Sequence, residues 1–292
     1  MWASLIFSGT AALFLIWTLF ALWHLRWVRR LPAMEALPPV SPARRIKCSV
    51  VIAARDEERR IEQTLRHLLV QREVELEIIV VDDRSKDRTG EILRRLTQED
   101  SRIQVKRVDV LPEGWLGKCH ACHVGARAAS GDWILFTDAD CWLTPDVIAR
   151  ALRVAERDGV DHITLTSGMA PGSLGLKASH LMFLISLANW FSGVNRDRAK
   201  SFMGIGAFNL VRAAAYRQCG GYEALRHTVV DDMKLGLLLR RAGERTRAFI
   251  GAGDVECHWG TTAWSTVKIM KKNYFAALDY RVALVLPAAC SQ

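Results

Sequence analysis

The sequence predicts an α/β fold with a mainly parallel sheet covered by helices on both faces, and three observations support this. First, short apolar runs alternate with charged segments of helical character from Lys47 onward, which is typical of strands joined by helical crossovers. Second, acidic residues directly follow two of the apolar runs. Third, the chain has 292 residues, 50% of them hydrophobic, which is enough for one large domain or two smaller ones with a sizeable core.

The individual elements follow from the spacing of the apolar residues. Short apolar runs bounded by polar residues are expected to form strands, and longer segments with apolar residues on one side are expected to form helices. The predicted strands are 48–54, 76–81, 102–108, 133–137 and 161–166. The predicted helices are 57–71, 87–98, 117–130, 145–157 and 231–242.

The N-terminal segment, residues 2–23, carries no charge. As a helix it would be roughly 33 Å long, enough to cross a hydrocarbon core of about 30 Å. A long apolar run without preceding basic residues favours a transmembrane helix over a cleaved signal peptide, which is the alternative. Basic residues follow it, so the chain beyond is expected in the cytoplasm, with the protein at the cell membrane. These basic residues are Arg26, Arg29, Arg30, Arg44, Arg45 and Lys47.

Four segments are therefore expected along the chain. A transmembrane anchor at 1–25 is followed by a proline-rich juxtamembrane linker at 26–46. The α/β domain occupies 47–255. A C-terminal helical segment at 256–292 ends in an apolar tail and is a candidate for membrane association.

The net charge and the cysteine content limit the possible partners and the redox state of the thiols, but they do not identify a ligand. The formal net charge is +9, which favours anionic partners such as nucleic acid, lipid headgroups or phosphorylated substrates. The seven cysteines are an odd number, and several lie in apolar stretches, so reduced thiols are expected rather than a disulfide framework.

Carboxylates at the ends of two predicted strands indicate a binding site. Asp82 and Asp83 end one apolar run, and Asp138 and Asp140 end another. Ligands of parallel sheets bind beyond the carboxyl ends of the strands, where these acids would repel one another unless a cation or hydrogen-bond donors offset their charge. Asp138 and Asp140 are two residues apart and can face one hard cation, so Mg²⁺ or Mn²⁺ is predicted.

Two further charged groups have ordinary explanations beside functional ones. Glu57 follows the first strand, where acids stabilise a helix N-terminus through the helix dipole, but this does not explain Arg55 at the strand end. Asp231 and Asp232 precede a predicted helix and could serve simply as N-caps.

Four segments, in this order, resemble family 2 glycosyltransferases of the GT-A fold over about residues 48–245. They are VVIAARDEE, IIVVDDRSKDRTGEI, LPEGWLGKCHACHVGARAASGDWILFTDAD and VVDDMKLGLLLRRAG. The resemblance implies a Rossmann-like domain that transfers one sugar from a nucleotide-diphosphate sugar to an acceptor hydroxyl, with inversion at the sugar carbon. The anchor and the Gly-Trp-Leu-Gly-Lys element resemble membrane-associated members, which implies a lipid-like acceptor and no nucleic-acid partner.

The resemblance also implies the roles of individual residues. Asp232 matches the family's catalytic base, and Asp231 stands where a glutamate is usual. Asp138 and Asp140 match the metal-binding D-x-D, and His258 is a further candidate ligand. The absence of a Q-x-x-R-W pentapeptide favours a single transfer over polymerisation. The residues expected to bind the nucleotide sugar are Ala53, Arg55, Glu57, Asp82, Asp83, Lys118 and Asp138.

Two other functions remain open from the sequence. Residues 119–123 read C-x-x-C-H, the spacing of covalent haem attachment, and could alternatively bind zinc. We expect buried helix cysteines instead. A nucleotidyltransferase would use the same fold and the same carboxylate pair, and the nucleotide product would distinguish it.

Overall fold

The computed structural model describes residues 2–28, 31–37, 46–169, 176–177 and 191–258. Among these residues the α-helices are α1 (Trp2–Val28), α2 (Ile61–Leu69), α3 (Thr89–Glu99), α4 (Gly117–Ala128), α5 (Val147–Asp158), α6 (Ala213–Gln218) and α7 (Asp231–Arg241). The strands are β1 (Lys47–Ala54), β2 (Glu75–Asp83), β3 (Ile103–Val108), β4 (Trp133–Asp138), β5 (Cys141–Leu143), β6 (His162–Leu165), β7 (Gly168–Met169), β8 (Asn209–Arg212), β9 (Thr246–Phe249) and β10 (Val255–Cys257).

The central sheet has seven strands in the order β3-β2-β1-β4-β8-β6-β9. Strands β1 to β4 pair in parallel, as do β6 and β9, whereas β8 runs antiparallel to both of its neighbours. The predicted α/β fold with a mainly parallel sheet is therefore confirmed. The antiparallel strand was not predicted, because an apolar segment shows its burial but not its direction in a sheet.

Helices cover both faces of the sheet, as predicted. On one face, α2, α3 and α5 contribute to the largest cluster of buried apolar residues. On the other face, Cys119 and Cys122 of α4 pack with Val51 of β1 and Leu235 of α7. Successive residues of a strand point to opposite faces, so β1 must be apolar on both sides to fill both layers.

A smaller sheet, in the order β5-β10-β7, lies beyond the end of β4. Its strands have only two or three residues each. Segments this short show no alternation of apolar and polar residues, so the sequence could not predict them. Strand β10, Val255–Cys257, lies where the sequence analysis expects the boundary between the α/β domain and the C-terminal segment. Residues 259–292, including the predicted apolar tail, lie outside the described residues.

The predicted N-terminal helix is present as α1, which runs from Trp2 to Val28. Within the described part of the chain, however, no helix is both long and apolar enough to cross a membrane, so the transmembrane part of this prediction is not confirmed. The expected linker includes a short 3-10 helix, Met34–Ala36, in which Met34 is fully buried. Its backbone carbonyl accepts a hydrogen bond from the guanidinium of Arg150, so this stretch packs on the domain.

Candidate active site

The carboxyl ends of β1, β2 and β4 meet at one edge of the central sheet. Ala53 lies opposite Asp138 of β4, and Ala54 lies opposite Asp82 of β2. The loops that follow β1 and β2 are also joined, because the Asp56 amide donates to the Ser85 hydroxyl at 3.0 Å. The acidic strand ends that the sequence predicted to be neighbours therefore do lie side by side.

Asp82 and Asp83, which we call the paired aspartates, each have an arginine partner. Asp82 is 1% exposed and forms a short ion pair with Arg107. Asp83 is 4% exposed, and its carboxylate accepts two hydrogen bonds from the guanidinium of Arg84, at 2.8 and 2.9 Å. Two buried acids can occupy one strand end because each has its own cation.

Glu57 follows β1, and its side chain lies near the D-x-D acids. Its backbone is held by a residue of α3. The Glu57 amide donates to the Thr89 hydroxyl at 2.8 Å. Burial, and then repulsion from Asp140, raise the pKa of Glu57 to about 7. Arg55 is exposed at the same strand end, and Ala53 is partly buried.

The D-x-D residues lie at the start of the turn from β4 to β5. Asp138 accepts a hydrogen bond from the Lys118 ammonium at 2.7 Å, and Asp140 lies 3.6 Å from the Arg60 guanidinium. Burial, and then repulsion from Asp138, raise the pKa of Asp140 to about 6. Together with Glu57, these carboxylates outnumber the two cations beside them.

The donor atoms at the D-x-D fit a divalent cation. One ligand atom each from Asp138, Asp140 and Cys141 lie within 4.8 Å of one another. The two carboxylate oxygens suit Mg²⁺ or Mn²⁺. Within the described ranges, this group does not include His258, whose amide donates to the Asp140 carbonyl but whose imidazole lies 2.9 Å from Glu256.

Asp232 lies across the site from the D-x-D, in the first turn of α7. One of its carboxylate oxygens accepts from the Met233 amide and the other from the Gly206 amide, both at 2.7 Å. Burial, and then repulsion from Asp231, raise the pKa of Asp232 to about 6. The carboxylate is thus held in a fixed orientation and titrates close to neutral pH.

Asp231 is 4% exposed, and one of its oxygens, Oδ2, has no hydrogen-bond partner in the part of the chain that the structure describes. Burial raises the pKa of Asp231, although the charge of Lys118 opposes this rise. The N-cap of α7 is Val230, with no side-chain cap, so N-capping by Asp231 or Asp232 does not explain the acid pair. An unpaired buried carboxylate oxygen is costly and is typical of a site that binds a ligand or a proton.

Lys118 and Gly206 lie between the D-x-D and the Asp231–Asp232 pair. A Cβ atom at Gly206 would lie 2.7 Å from Asp138, 3.3 Å from Asp232 and 3.3 Å from the Lys118 ammonium, so a larger residue would displace the Asp138 carboxylate from its present position. Partial burial disfavours a charged Lys118, but its attraction to Asp138, Asp231 and Asp232 raises its pKa well above the usual value. We call the five acids around it the acidic cluster: Glu57, Asp138, Asp140, Asp231 and Asp232.

A buried polar chain supports α7 behind the acidic cluster. Asn209 donates to the Asp232 carbonyl at 3.4 Å, and its side-chain oxygen pairs with the imidazole of His162. An amide oxygen can only accept, so His162 Nε2 donates, and Nδ1 accepts from the Thr246 hydroxyl, 3.1 Å away. Burial lowers the pKa of His162 to about 4, which keeps this imidazole neutral.

The cysteines of the C-x-x-C-H segment are buried in the core of the domain. Cys119 and Cys122 are 1% and 3% exposed, and the Cys119 thiol donates to the Thr228 carbonyl. His123 packs against Trp115, with ring centroids 5.0 Å apart. Both sulfurs are packed in the core against the sheet, as expected for structural cysteines, and among the described residues neither belongs to a group of three potential metal ligands.

Two residues of this site, Arg60 and Gly206, were not predicted from the sequence. Arg60 stands in a run of charged residues that the sequence indicates only as a helix start. Gly206 lies in the glycine-containing stretch MGIGAF at 203–208, which is the only sequence signal near it. Neither could be assigned, because their partners Asp140 and Asp232 are distant along the chain.

Comparison with known proteins identifies the family. The model of glycosyl transferase family 2 matches residues 49–220, more than half of the chain. A 4,4'-diaponeurosporenoate glycosyltransferase from Staphylococcus haemolyticus is 26% identical over 211 residues, covering 71% of this chain and 55% of that protein. A beta-monoglucosyldiacylglycerol synthase from Trichormus variabilis is 26% identical over 215 residues, covering 72% and 42%. The chain thus spans about half the length of these relatives.

Solved glycosyltransferases share the fold. A mannosyltransferase from Pyrobaculum calidifontis, in complex with GDP-Man and Mn²⁺, superposes with a TM-score of 0.58 at 21% identity, covering 83% of this chain and 66% of that one. S. aureus TarS in complex with UDP-GlcNAc gives a TM-score of 0.54 at 16% identity, covering 73% and 58%. Together with the family match, this confirms the resemblance found in the sequence: the chain is a family 2 glycosyltransferase.

Proposed function

We propose that this enzyme transfers one sugar from a nucleotide-diphosphate sugar to a hydroxyl of a lipid-like acceptor, with inversion at the sugar carbon and with Mg²⁺ or Mn²⁺. The names of both relatives support the acceptor class, since one acts on a carotenoid acid and the other makes a glycosylated diacylglycerol. The complexes of the two solved enzymes support the donor class, and one of them contains Mn²⁺.

The single observation that carries the proposal is the position of Asp232 opposite the D-x-D. A Cβ at Gly206 would lie within 3.3 Å of both Asp138 and Asp232, so the two acid groups border one small space. One group can bind a departing diphosphate through a cation while the other faces the acceptor. This is the arrangement that an in-line displacement needs.

Asp232 is the proposed base. Its pKa of about 6 leaves it ionised at neutral pH yet basic enough to take the proton of an acceptor hydroxyl as the new glycosidic bond forms. The Gly206 and Met233 amides keep its carboxylate in place during this transfer. Asp231 lies behind it as a second acid that adds to its basicity by repulsion.

The donor would lie along the strand ends. Asp138 and Asp140 would hold the cation, which when bound neutralises the diphosphate. Lys118 is within reach of the same phosphates, because its ammonium already contacts Asp138. Asp82 and Asp83 would bind the base and ribose beside Ala53, Arg55 and Glu57. His258 enters this site only through its backbone contact with Asp140.

We also propose that α1 brings the enzyme to a membrane, with the catalytic domain on the cytoplasmic side. Five consecutive apolar residues, Leu13 to Trp17, are exposed, including Phe14 at 75%, Ile16 at 62% and Trp17 at 51%. A contiguous exposed apolar surface of this kind is typical of segments that contact lipid or another protein. A lipid-like acceptor would then be available in the same bilayer.

Transfer from a radiolabelled nucleotide sugar to membrane lipid tests the function directly. The wild-type enzyme with Mn²⁺ is expected to label lipid and release a nucleoside diphosphate. Release of pyrophosphate would instead indicate a nucleotidyltransferase.

Asp232→Asn should bind the donor normally and lower kcat by about 10²–10⁴-fold, because the base is lost. Asp197→Asn, a surface acid paired with Arg247, is the matched control. Undiminished turnover in Asp232→Asn would remove Asp232 as the base.

A further inference from the structure

Two cysteines that are 116 residues apart in the chain touch each other below the D-x-D. The Sγ atoms of Cys141, in β5, and Cys257, in β10, lie 2.8 Å apart, and both residues are free thiols. They are 0% and 4% exposed. The glycosyl transfer derived above uses neither thiol.

The strand pairing places these cysteines in the position that a cross-strand disulfide requires. Cys141 and Cys257 are directly opposite each other in an antiparallel pair. The neighbouring pair is hydrogen-bonded, because the His258 amide donates to the Asp140 carbonyl at 3.0 Å. Hydrogen-bonded and non-hydrogen-bonded pairs alternate, so the cysteines form the closer kind, with Cα atoms about 4.5 Å apart. This lies within the range of about 4.4–6.8 Å seen in disulfides.

We propose that Cys141 and Cys257 are a modification site, at which hydrogen peroxide converts the thiol pair into a reversible disulfide. Cys257 is the more exposed thiol and reacts first: its sulfur takes one peroxide oxygen to form a sulfenic acid, and water leaves. The Cys141 thiol then attacks that sulfur, the S–S bond forms, and a second water leaves with the sulfenic oxygen. The two thiols together lose two electrons and two protons to the peroxide, and an external dithiol reverses the reaction.

The position of the pair connects this modification to the candidate metal site. Cys141 directly follows Asp140, and Cys257 directly precedes His258. The disulfide would join the D-x-D turn covalently to β10. The inference stands on the contact between the thiols and does not depend on the identity of donor or acceptor.

Peptide mapping of the whole protein tests the proposal. The reduced protein is treated with hydrogen peroxide, its remaining thiols are alkylated, and it is digested without reductant. We expect one cross-linked species that joins the peptides containing Cys141 and Cys257, is lighter by two hydrogen atoms, and disappears with dithiothreitol. Recovery of both cysteines in alkylated form, or linkage of either one to another cysteine, would overturn the proposal.

Variants and thermal stability provide the controls. Cys141→Ser and Cys257→Ala should each abolish the cross-link, whereas Cys48→Ser, which removes another buried thiol, should leave it intact. Closing a loop of 116 residues restricts the unfolded chain, so oxidation should raise the Tm of the wild-type protein by several degrees. Because this comparison uses the wild-type protein alone, poor folding of a variant does not affect it. A cross-link that lowers the Tm would contradict the inference that the folded protein holds the two thiols ready to bond.

Discussion

The paired aspartates and the acidic cluster are neighbouring groups of carboxylates at one sheet edge, and they differ in how their charge is balanced. Asp82 and Asp83 each have an arginine partner. The five acids of the cluster have only Lys118 and Arg60 among the cations that contact them in the described residues, and three of them have a pKa raised to about 6 or 7. The difference teaches that acidic residues alone do not mark a reaction centre. Acids whose charge is not neutralised by neighbouring cations indicate where a protein binds a cation or transfers a proton.

The largest effect that tests this comparison is expected for Asp140→Asn. Loss of this proposed metal ligand should lower the transfer rate at least about 100-fold and should weaken Mn²⁺ binding, measured by electron paramagnetic resonance. The same change should raise the Tm at pH 8, because it removes a buried charge that its neighbours repel. Asp161→Asn, an acid paired with Arg212 elsewhere on the sheet, is the control and should change neither activity nor Mn²⁺ binding. Full metal-dependent activity in Asp140→Asn would exclude it as a ligand.

Lys118→Met removes the cation that lies between Asp138 and the Asp231–Asp232 pair within the acidic cluster. Its charge lowers the pKa of Asp232, so its loss should move the acid limb of the pH–rate profile to higher pH. At about pH 6.5 we expect kcat/KM to fall roughly threefold, as a rise of one unit in a catalytic pKa of about 6 would produce. Lys118→Arg retains the charge and should keep the limb near its wild-type position. A profile unchanged in Lys118→Met would show that Lys118 does not act on the base.

Asp82→Asn should have the opposite effect on stability from Asp140→Asn. It removes an acid whose charge is balanced, so we expect a loss of about 1–2 kcal/mol in the free energy of unfolding, measured by urea denaturation. The estimate is modest because the Arg107 side chain is 46% exposed and solvent screens the pair. Asp109→Asn breaks the other ion pair of the same arginine at an 80% exposed side chain and should change stability little. Stabilisation by Asp82→Asn would contradict the distinction between the two groups.

The smallest expected effect is the pH dependence of stability in the metal-free enzyme. Glu57, Asp140 and Asp232 have folded-state pKa values of about 7, 6 and 6, above those of the unfolded chain. The folded protein therefore binds more protons between about pH 4 and 7, and its stability should fall as the pH rises through that range. Allowing for solvent screening, we expect on the order of 1 kcal/mol. Melting curves at several pH values check this, and Asp140→Asn should flatten the slope. Stability that rises with pH would contradict the raised pKa values.

Much of the fold could be predicted because burial leaves a periodic trace in the sequence. The strand expected at 48–54 is Lys47–Ala54, and the helix expected at 231–242 is Asp231–Arg241. The convergence of Asp82 and Asp138 at one sheet edge could also be predicted, since parallel strands end on the same side. Strands β5 and β10 could not, because two or three residues show no period.

The sequence by itself determined the order of strands and helices, the family, and which acids stand at strand ends, because each of these depends on residues close together in the chain. Only the tertiary structure decided how charge is shared among those acids. Lys118 reaches Asp138, Gly206 binds Asp232, and Cys141 meets Cys257 across 116 residues. The cysteines that attract attention in the sequence, at 119 and 122, are packed in the core instead. Contacts between distant segments depend on strand order and direction, which local patterns do not encode.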